Sequence, residues 1–405
     1  MQNNILYKWW FGSISGEHLK ITNKTPKEYL YKFFIHPIKR RVAKYYLVLL
    51  RKFFGLKVIG ITGSAGKTTT KEMTASILAE SGKTAASYAN TDPVYNIPTT
   101  ILRCTPLTRF LVLEMGVEFP EEMDFYLWLA KPDIGLITNI YPTHTEFLKN
   151  IQGIAKEKGK LALTLGTHDY AVLNKESKIL QGISKAIKAK IVWYGKGGKV
   201  NAGNTRFLND SSTEFTLIMS KNKLVVHLAT LGEQFVNNAL GASAIAFCLG
   251  VRSRDIKNGL EKFKPLEHRM AAHSLKSGAI LLDDSYNNNP EAAKEALRTL
   301  KAVAGKRKMV IVFGDMLELG SLSSWAHRGL GAAIASMGAD RLIGVGPASK
   351  ELVQTAKVNM KDNATWVSKA DEVLPQLKPS LDKDTVILIK GSRSIGLDRL
   401  VAKLL

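Results

Sequence analysis

The densest chemistry in the chain lies in Gly60-Ile61-Thr62-Gly63-Ser64-Ala65-Gly66-Lys67-Thr68-Thr69. An apolar β-branched run, Val58–Thr62, leads into it, and a helical pattern, Lys67–Ser81, leads out. Glycines let a backbone wrap an anion and aim N–H groups at it, and a helix start adds its own free N–H groups. Lys67 can then reach the β- and γ-phosphates of a nucleotide, and the Thr68 hydroxyl can bind Mg²⁺. The spacing is a variant of the common phosphate loop, because five residues rather than four separate Gly60 from Gly66. A glycine turn that binds nothing is a poor account of Gly-Lys-Thr-Thr at a strand-to-helix junction.

A sheet must hold such a loop. Short apolar runs recur at Phe110–Leu113, Ile134–Thr138, Ala171–Leu173 and Ile191–Trp193, with helical patterns between several of them. Strands alternating with helices predict an α/β fold, a mostly parallel sheet with helices on both faces. Residues 234–249 and Arg254–Phe263 read as helices, and Pro265 closes that unit. A second α/β series comes next, at Ile280–Asp283, Met309–Phe313, Leu342–Val345 and Val386–Ile389. The pattern divides the chain into a basic aromatic segment (1–56), a central nucleotide-binding domain (57–266) and a C-terminal Rossmann-like α/β domain (267–405).

The 405 residues are 45% hydrophobic and 23% charged, which excludes a mainly disordered or fibrous chain. Cys104 and Cys248 are too few for a disulfide framework or a cysteine-rich zinc site, and a reducing cytoplasm is expected. No secretory signal is visible, and the longest apolar stretches, such as Tyr45–Leu50, are too short to span a bilayer. A net charge of +22 points to an acidic partner without choosing one.

Several motifs, in order, resemble the Mur ligases, which join amino acids or peptides to cell-wall precursors. Thr62–Thr69 is similar to their ATP loop, and Glu114-Met115-Gly116 to their acidic strand end. Thr138-Asn139-Ile140 with His144 and Glu146, the lysine segment from Ile154 to Gly159, and Asn237-Asn238-Ala239-Leu240 come in family order. Asp283-Asp284-Ser285-Tyr286-Asn287-Asn288-Asn289-Pro290, Gly314–Gly320, His327 and Lys390-Gly391-Ser392-Arg393 resemble the branch that adds D-alanyl-D-alanine. The motifs favour that branch over folylpolyglutamate or cyanophycin-type ligases. Intact Lys67, Thr68, Glu114, His144 and Lys158 argue against a non-catalytic ATP-binding scaffold.

The resemblance implies ATP-dependent amide formation through an acyl phosphate, with a peptide-type acceptor and an amine as substrates. It implies that Thr62, Gly63, Ser64, Ala65, Gly66, Lys67, Thr68 and Thr69 hold ATP, with Asn238 facing the adenine. Arg269, Asp284 and Asn287 would close over the nucleotide. Thr68 and Glu114 would hold one Mg²⁺, and His144 with a carbamylated Lys158 a second. Lys67, His144 and Lys158 are the implied catalytic residues, and Asn90, Asn289, Lys390, Ser392 and Arg393 the implied substrate contacts. Asp283 reads as a supporting residue, because neighbours in a strand face opposite ways.

The sequence departs from the family at Asn90-Thr91-Asp92-Pro93, where only Asn90 keeps its type. It departs also at Gln234, in the place of a histidine, and at Lys160, in the place of an acid. About 55 residues precede the ATP loop, too few for the family's sugar-nucleotide domain, whose role is expected to be absent or replaced. Residues 1–57 instead hold twelve Lys/Arg and two acids, Glu17 and Glu28, with Trp9, Trp10 and Phe11. A helix is expected over 38–54 after Pro37, with an apolar stripe of Ile38, Val42, Tyr46, Leu49 and Phe53. Packing of that stripe on the central domain or a second subunit is one expectation. An anionic membrane surface, bound through residues 1–54 at the inner face, is another. Nucleic acid is not expected, since no recognisable module is present. A monomer or weak oligomer is expected.

Overall fold

The computed structural model describes residues 25–88, 92–142, 145–208 and 211–405. Asn90, His144 and the Trp9–Phe11 aromatics lie outside the described residues.

The N-terminal part is helical: α1 (Pro26–Leu30), a π turn (Tyr31–Ile35) and α2 (His36–Phe54). The helical run thus starts earlier than the expected 38–54. Thr25 caps α1 by accepting the Glu28 N–H. The His36 N–H reaches back to the Tyr31 carbonyl, five residues away. The ladder has therefore slipped by one residue where Pro37, which has no N–H, enters it. Gly55, left-handed at φ 67°, ends α2.

The central domain is one sheet in the order β2-β3-β1-β4-β5-β6-β7-β8-β9. Its strands are β1 (Lys57–Thr62), β2 (Thr84–Ala86), β3 (Phe110–Glu114), β4 (Ile134–Ile137), β5 (Tyr170–Asn174), β6 (Lys190–Tyr194), β7 (Val200–Leu208), β8 (Ser212–Met219) and β9 (Asn222–Leu228). Strands β1 to β7 run parallel, as the alternating pattern predicts. The antiparallel meander β7-β8-β9 extends the sheet beyond what that pattern predicts. Helices α3 (Lys67–Ala79), α4 (Pro93–Leu102), α5 (Glu122–Ala130), α6 (Ile151–Leu163) and α7 (Glu233–Cys248) cover it.

A second sheet, β10-β11-β15-β12-β13-β14, is parallel except for its edge strand β10 (Ala271–Ser274). Its other strands are β11 (Ile280–Asp284), β12 (Lys308–Gly314), β13 (Arg341–Val345), β14 (Ala364–Val367) and β15 (Thr385–Lys390). Helix α8 (Pro290–Ala304) comes directly after β11.

Helix α2 packs on α4 and α5, but not through the expected stripe. The buried face is Ala43, Leu47 and Leu50, with Arg40 beside Phe125 at 5.6 Å. Ile38, Val42, Leu49 and Phe53 face solvent, and only Tyr46 of the stripe reaches inward, donating to the Cys104 carbonyl. Both faces of α2 are apolar, so periodicity alone could not say which one packs. Four polar ties fix the choice. The His36 Nε2–H donates to the Val94 carbonyl, Lys39 to the Thr99 hydroxyl, Lys44 sits 4.1 Å over Trp128, and Arg51 pairs with Asp133 at 3.0 Å.

Burial first, and then the Arg40 charge, lower the His36 imidazole from 6.5 to about 4. The folded protein therefore holds His36 neutral over a range where the unfolded chain takes up a proton. Stability is then complete above the ordinary histidine value and falls with acid between 6.5 and about 4. The loss across that window is about 3 kcal/mol. Thermal melts of the wild type and His36→Asn across this range are expected to show a steeper acid loss in the wild type.

Candidate functional site

The strand order reverses beside β1, which lies between β3 and β4, and an open α/β sheet forms its ligand crevice at such a point. Glu114 ends β3 in register with Ile61 of β1, so it stands beside the loop that leaves β1. The loop is clamped from both sides. The Ala65 N–H donates to the Asn139 side chain at 2.8 Å, and the Thr138 hydroxyl donates to the Ala65 carbonyl at 2.6 Å. The Thr62 hydroxyl donates to the Met115 carbonyl, and Ser64 to that of Tyr141.

Two glycines make the fit possible. Gly63 and Gly66 have φ of 143° and 78°, and a Cβ on either would lie 1.9 Å from Thr138 Oγ1 or 2.3 Å from Asn238 Oδ1. Helix α3 opens at Gly66 with no side-chain cap, so its first N–H groups remain for a ligand.

A cavity of about 510 Å³ lies over this loop. Ser64 to Thr69, Glu114, Glu118, Glu122, Asn139 and Asn238 line it from the central domain. Arg269, Asp284, Tyr286, Asn287, Asn289 and Lys390 line it from the second sheet. The Thr68 hydroxyl donates to Glu114 Oε1 at 3.1 Å, and Arg269 reaches across to Thr68 at 3.4 Å. Burial lowers the Lys67 ammonium below its ordinary value, while Glu114 opposes that shift. The Lys67 surface is partly open to the cavity even so.

Thr68 and Glu114 are two oxygen ligands of the kind Mg²⁺ takes from a protein when substrate phosphates and water supply the rest. Among the described residues no three His, Cys, Asp or Glu side chains gather into a metal cluster. Lys158 is fully buried on α6, behind the cavity wall, and donates to the Val117 carbonyl at 3.2 Å. Burial, with the Lys67 charge next, lowers its amine to about 7.

The second sheet places its residues unevenly. Lys390 is buried, pairing with Asp284 at 2.6 Å and donating to the Asn287 carbonyl at 2.9 Å. Burial raises the Asp284 carboxyl, and the Lys390 charge opposes that shift. Asn289 caps α8 by accepting the Ala292 N–H. Ser392 accepts the Leu317 N–H, and Arg393 stacks 5.2 Å from the Tyr286 ring that Arg269 also covers at 4.4 Å. Neither Ser392 nor Arg393 lines the cavity. The Asn238 amide rests against Gly66, at the phosphate loop.

Asp283 points away from its neighbour, accepting from the Ser285 hydroxyl and pairing with His268 at 2.7 Å. His327 is a packing residue: it accepts the Met316 N–H through Nε2 and donates to the Ser323 carbonyl through Nδ1. Lys160, the departure in the lysine segment, pairs with Asp124 and Glu157 outside the cavity.

Sequence reasoning missed Tyr126, Tyr141, Tyr286, Glu291 and Glu295 in the lining. The two acids carried a usable signal. Asn289-Pro290 is a helix start, and acids at the first and fifth positions after Pro290 share one face of that helix. Tyr286 lay inside the Asp283–Pro290 motif without a role assigned to it, and Tyr126 and Tyr141 carried no signal, since their approach depends on the tertiary fold.

Comparison with known proteins places this arrangement. Residues 61–246 match the Mur ligase middle domain, and 268–393 the Mur ligase, glutamate ligase domain. The UDP-N-acetylmuramoyl-tripeptide–D-alanyl-D-alanine ligase of Haemophilus influenzae is 32% identical, over 88% of this chain and 78% of that one. That of Bacillus subtilis is 31% identical, over 90% and 79%. The crystal structure of MurF from Acinetobacter baumannii superposes with a TM-score of 0.83 at 28% identity, over 91% of this chain and 80% of that one. The chain belongs to the Mur ligase family of ATP-dependent ligases.

Proposed function

We propose that this ligase joins the carboxylate of a peptide-type acceptor to the amine of D-alanyl-D-alanine, with ATP as the driving substrate. The substrates are those named for the relatives above. The observation that carries the reading is a single cavity with the phosphate loop on one side and Arg269, Asn287 and the Lys390–Asp284 pair on the other. Two free cysteines and an ATP substrate suit a reaction in the cytoplasm.

An acceptor carboxylate oxygen attacks the γ-phosphorus of ATP, and the bond from that phosphorus to the β-phosphate oxygen breaks. ADP leaves and an acyl phosphate forms. The amine nitrogen then attacks the acyl carbon, the carbon–oxygen bond to phosphate breaks, and phosphate leaves as the nitrogen loses its proton. Both steps gather negative charge, so fixed cations do most of the work. Lys67 would meet the β- and γ-phosphates at the loop, and Arg269, which reaches Thr68 from the other domain, would add its charge there. Thr68 and Glu114 would hold Mg²⁺, which supplies further positive charge at the phosphates. Lys390, fixed by Asp284 and Asn287, would meet an anionic group of a substrate. Glu118 and Glu122 suit the ammonium of the incoming amine, whereas Glu291 and Glu295 pair with Lys294 and Arg298.

We assign Lys158 as a site of carbamylation. Its amine is buried near Glu118, Glu122 and Glu157 and loses its proton near pH 7, and a neutral amine is the form that adds CO₂. His144 would join it at a second metal.

Phosphate release is expected to require ATP, an acceptor and an amine together, and Lys67→Ala to lower it roughly 100-fold or more. Unchanged release in that variant would remove Lys67 from the site. Gly66→Ala is expected to weaken ATP binding at least roughly tenfold and to lower the melting temperature, because its Cβ would meet the Asn238 side chain and strain a left-handed turn. Carbon-13 spectra with labelled bicarbonate are expected to show a carbamate signal that grows as pH rises through 7 and is missing in Lys158→Arg. A plain lysine mass at saturating bicarbonate would sink this assignment.

A further inference from the structure

The solvent face of α2 is apolar over its whole length. Phe34 of the preceding π turn and Ile38, Val42, Tyr45, Leu49 and Phe53 of α2 succeed one another at intervals of three or four residues, which puts them in one row. Each is between 44% and 70% exposed. The row is roughly 30 Å long at the helical rise. Folded monomers rarely leave so continuous an apolar strip in water without a partner for it. Marginal folding of α2 does not account for it, because the opposite face is buried and held by the His36, Lys39, Lys44 and Arg51 ties.

The flanks of the row say what covers it. Arg41 and Lys52 border it, and Lys52 lies 5.6 Å from the Phe53 ring. No Asp or Glu occurs between Glu28 and Glu72. A rigid apolar strip with cations along its edge and no acid on its own helix fits a surface that is apolar inside and anionic outside. A second copy of this chain fits poorly. Two such helices packed face to face would set Arg41 and Lys52 of one copy against cations of the other. No described helix is long and apolar enough to cross a membrane, so the mode is to lie on the surface.

We propose that the outer face of α2 lies in the headgroup layer of an anionic lipid membrane and carries the ligase there. The buried face of α2 packs on α4 and α5, which give Pro93, Asn96, Glu122 and Tyr126 to the cavity. Docking would therefore hold one wall of the cavity a single helix layer from the lipid. An acceptor tethered to a lipid could enter without leaving the surface. The proposal does not depend on the identity of the acceptor or amine, since vesicle binding needs no catalysis.

The test is co-sedimentation of the full chain with vesicles of phosphatidylcholine alone or of phosphatidylcholine with phosphatidylglycerol. The full chain is expected to pellet with the anionic vesicles and to stay in solution with the neutral ones. Higher salt is expected to weaken the binding. The double variant Val42→Glu/Leu49→Glu is expected to lose it while keeping its melting temperature and its phosphate release on soluble substrates. Arg41→Gln and Lys52→Gln are each expected to weaken it roughly fivefold, the share of one surface cation. Three results would overturn the proposal: no pelleting of the wild type, equal pelleting with both vesicle types, or pelleting that Val42→Glu/Leu49→Glu leaves intact. A dimer of the wild type without lipid, lost in the same variant, would overturn it too by giving the face to a second copy.

Discussion

A carboxylate and a triphosphate repel each other, and the reaction proposed for this site must bring them together. At contact distance and a typical protein dielectric, one pair of like charges costs roughly 4 kcal/mol, and a triphosphate carries several. The offsetting cations must be present before the substrates arrive and must not relax away from them. Lys67 comes from the loop after β1, and Arg269 and Lys390 from the second sheet. Lys390 is buried and already paired with Asp284, so the proposed contact with a substrate would cost it no reorganisation. The cation set is complete only when the two sheets face each other across the cavity.

The central sheet makes the loop rigid enough to serve that purpose. Its glycines let it lie against Thr138 and Asn238 with no room for a Cβ, and the Asn139 side chain takes up the Ala65 N–H. The N–H groups that remain for a phosphate are those at the uncapped start of α3. The lower end of the same strand is tied as well. Asp133 accepts the Val58 N–H and pairs with Arg51 of α2, so β1 is held at its start by one helix and at its end by its loop.

The sequence carried the parts of this design that are local and lacked the parts that are not. Lys67, Thr68 and Glu114 were legible because a strand-loop-helix junction and a strand end fix where such side chains point. The alternating pattern likewise revealed both parallel sheets. The β7-β8-β9 meander was not legible, since its strands succeed one another with no helix between them. The Lys390–Asp284 pair spans 106 residues and arises only because β15 lies beside β11. Lys160 looked like a site departure, but the turn of α6 aims it at Asp124 and Glu157 instead. For α2 the period was right and the face was wrong. A helix apolar on two sides leaves the choice to polar anchors, and Arg40, a buried cation, broke the pattern on the face that packs.

That exchange of faces changes what the basic N-terminal segment is. Counted as sequence, its charge left open whether the segment packs on the central domain or meets an anionic surface. In the fold, four of the six Lys and Arg of α2 work inward. Lys39 bonds Thr99, Arg40 lies by Phe125, Lys44 covers Trp128 and Arg51 holds Asp133. Those contacts make α2 a structural part of the central domain, joined through Asp133 to the strand that carries the phosphate loop. Arg41 and Lys52 remain to border the outer row of apolar side chains. A helix built into the ATPase core cannot move on its own, so whatever its outer face binds is held in a fixed orientation to the cavity. In this protein, where the outer face docks and how the site is presented to its substrates are one structural question.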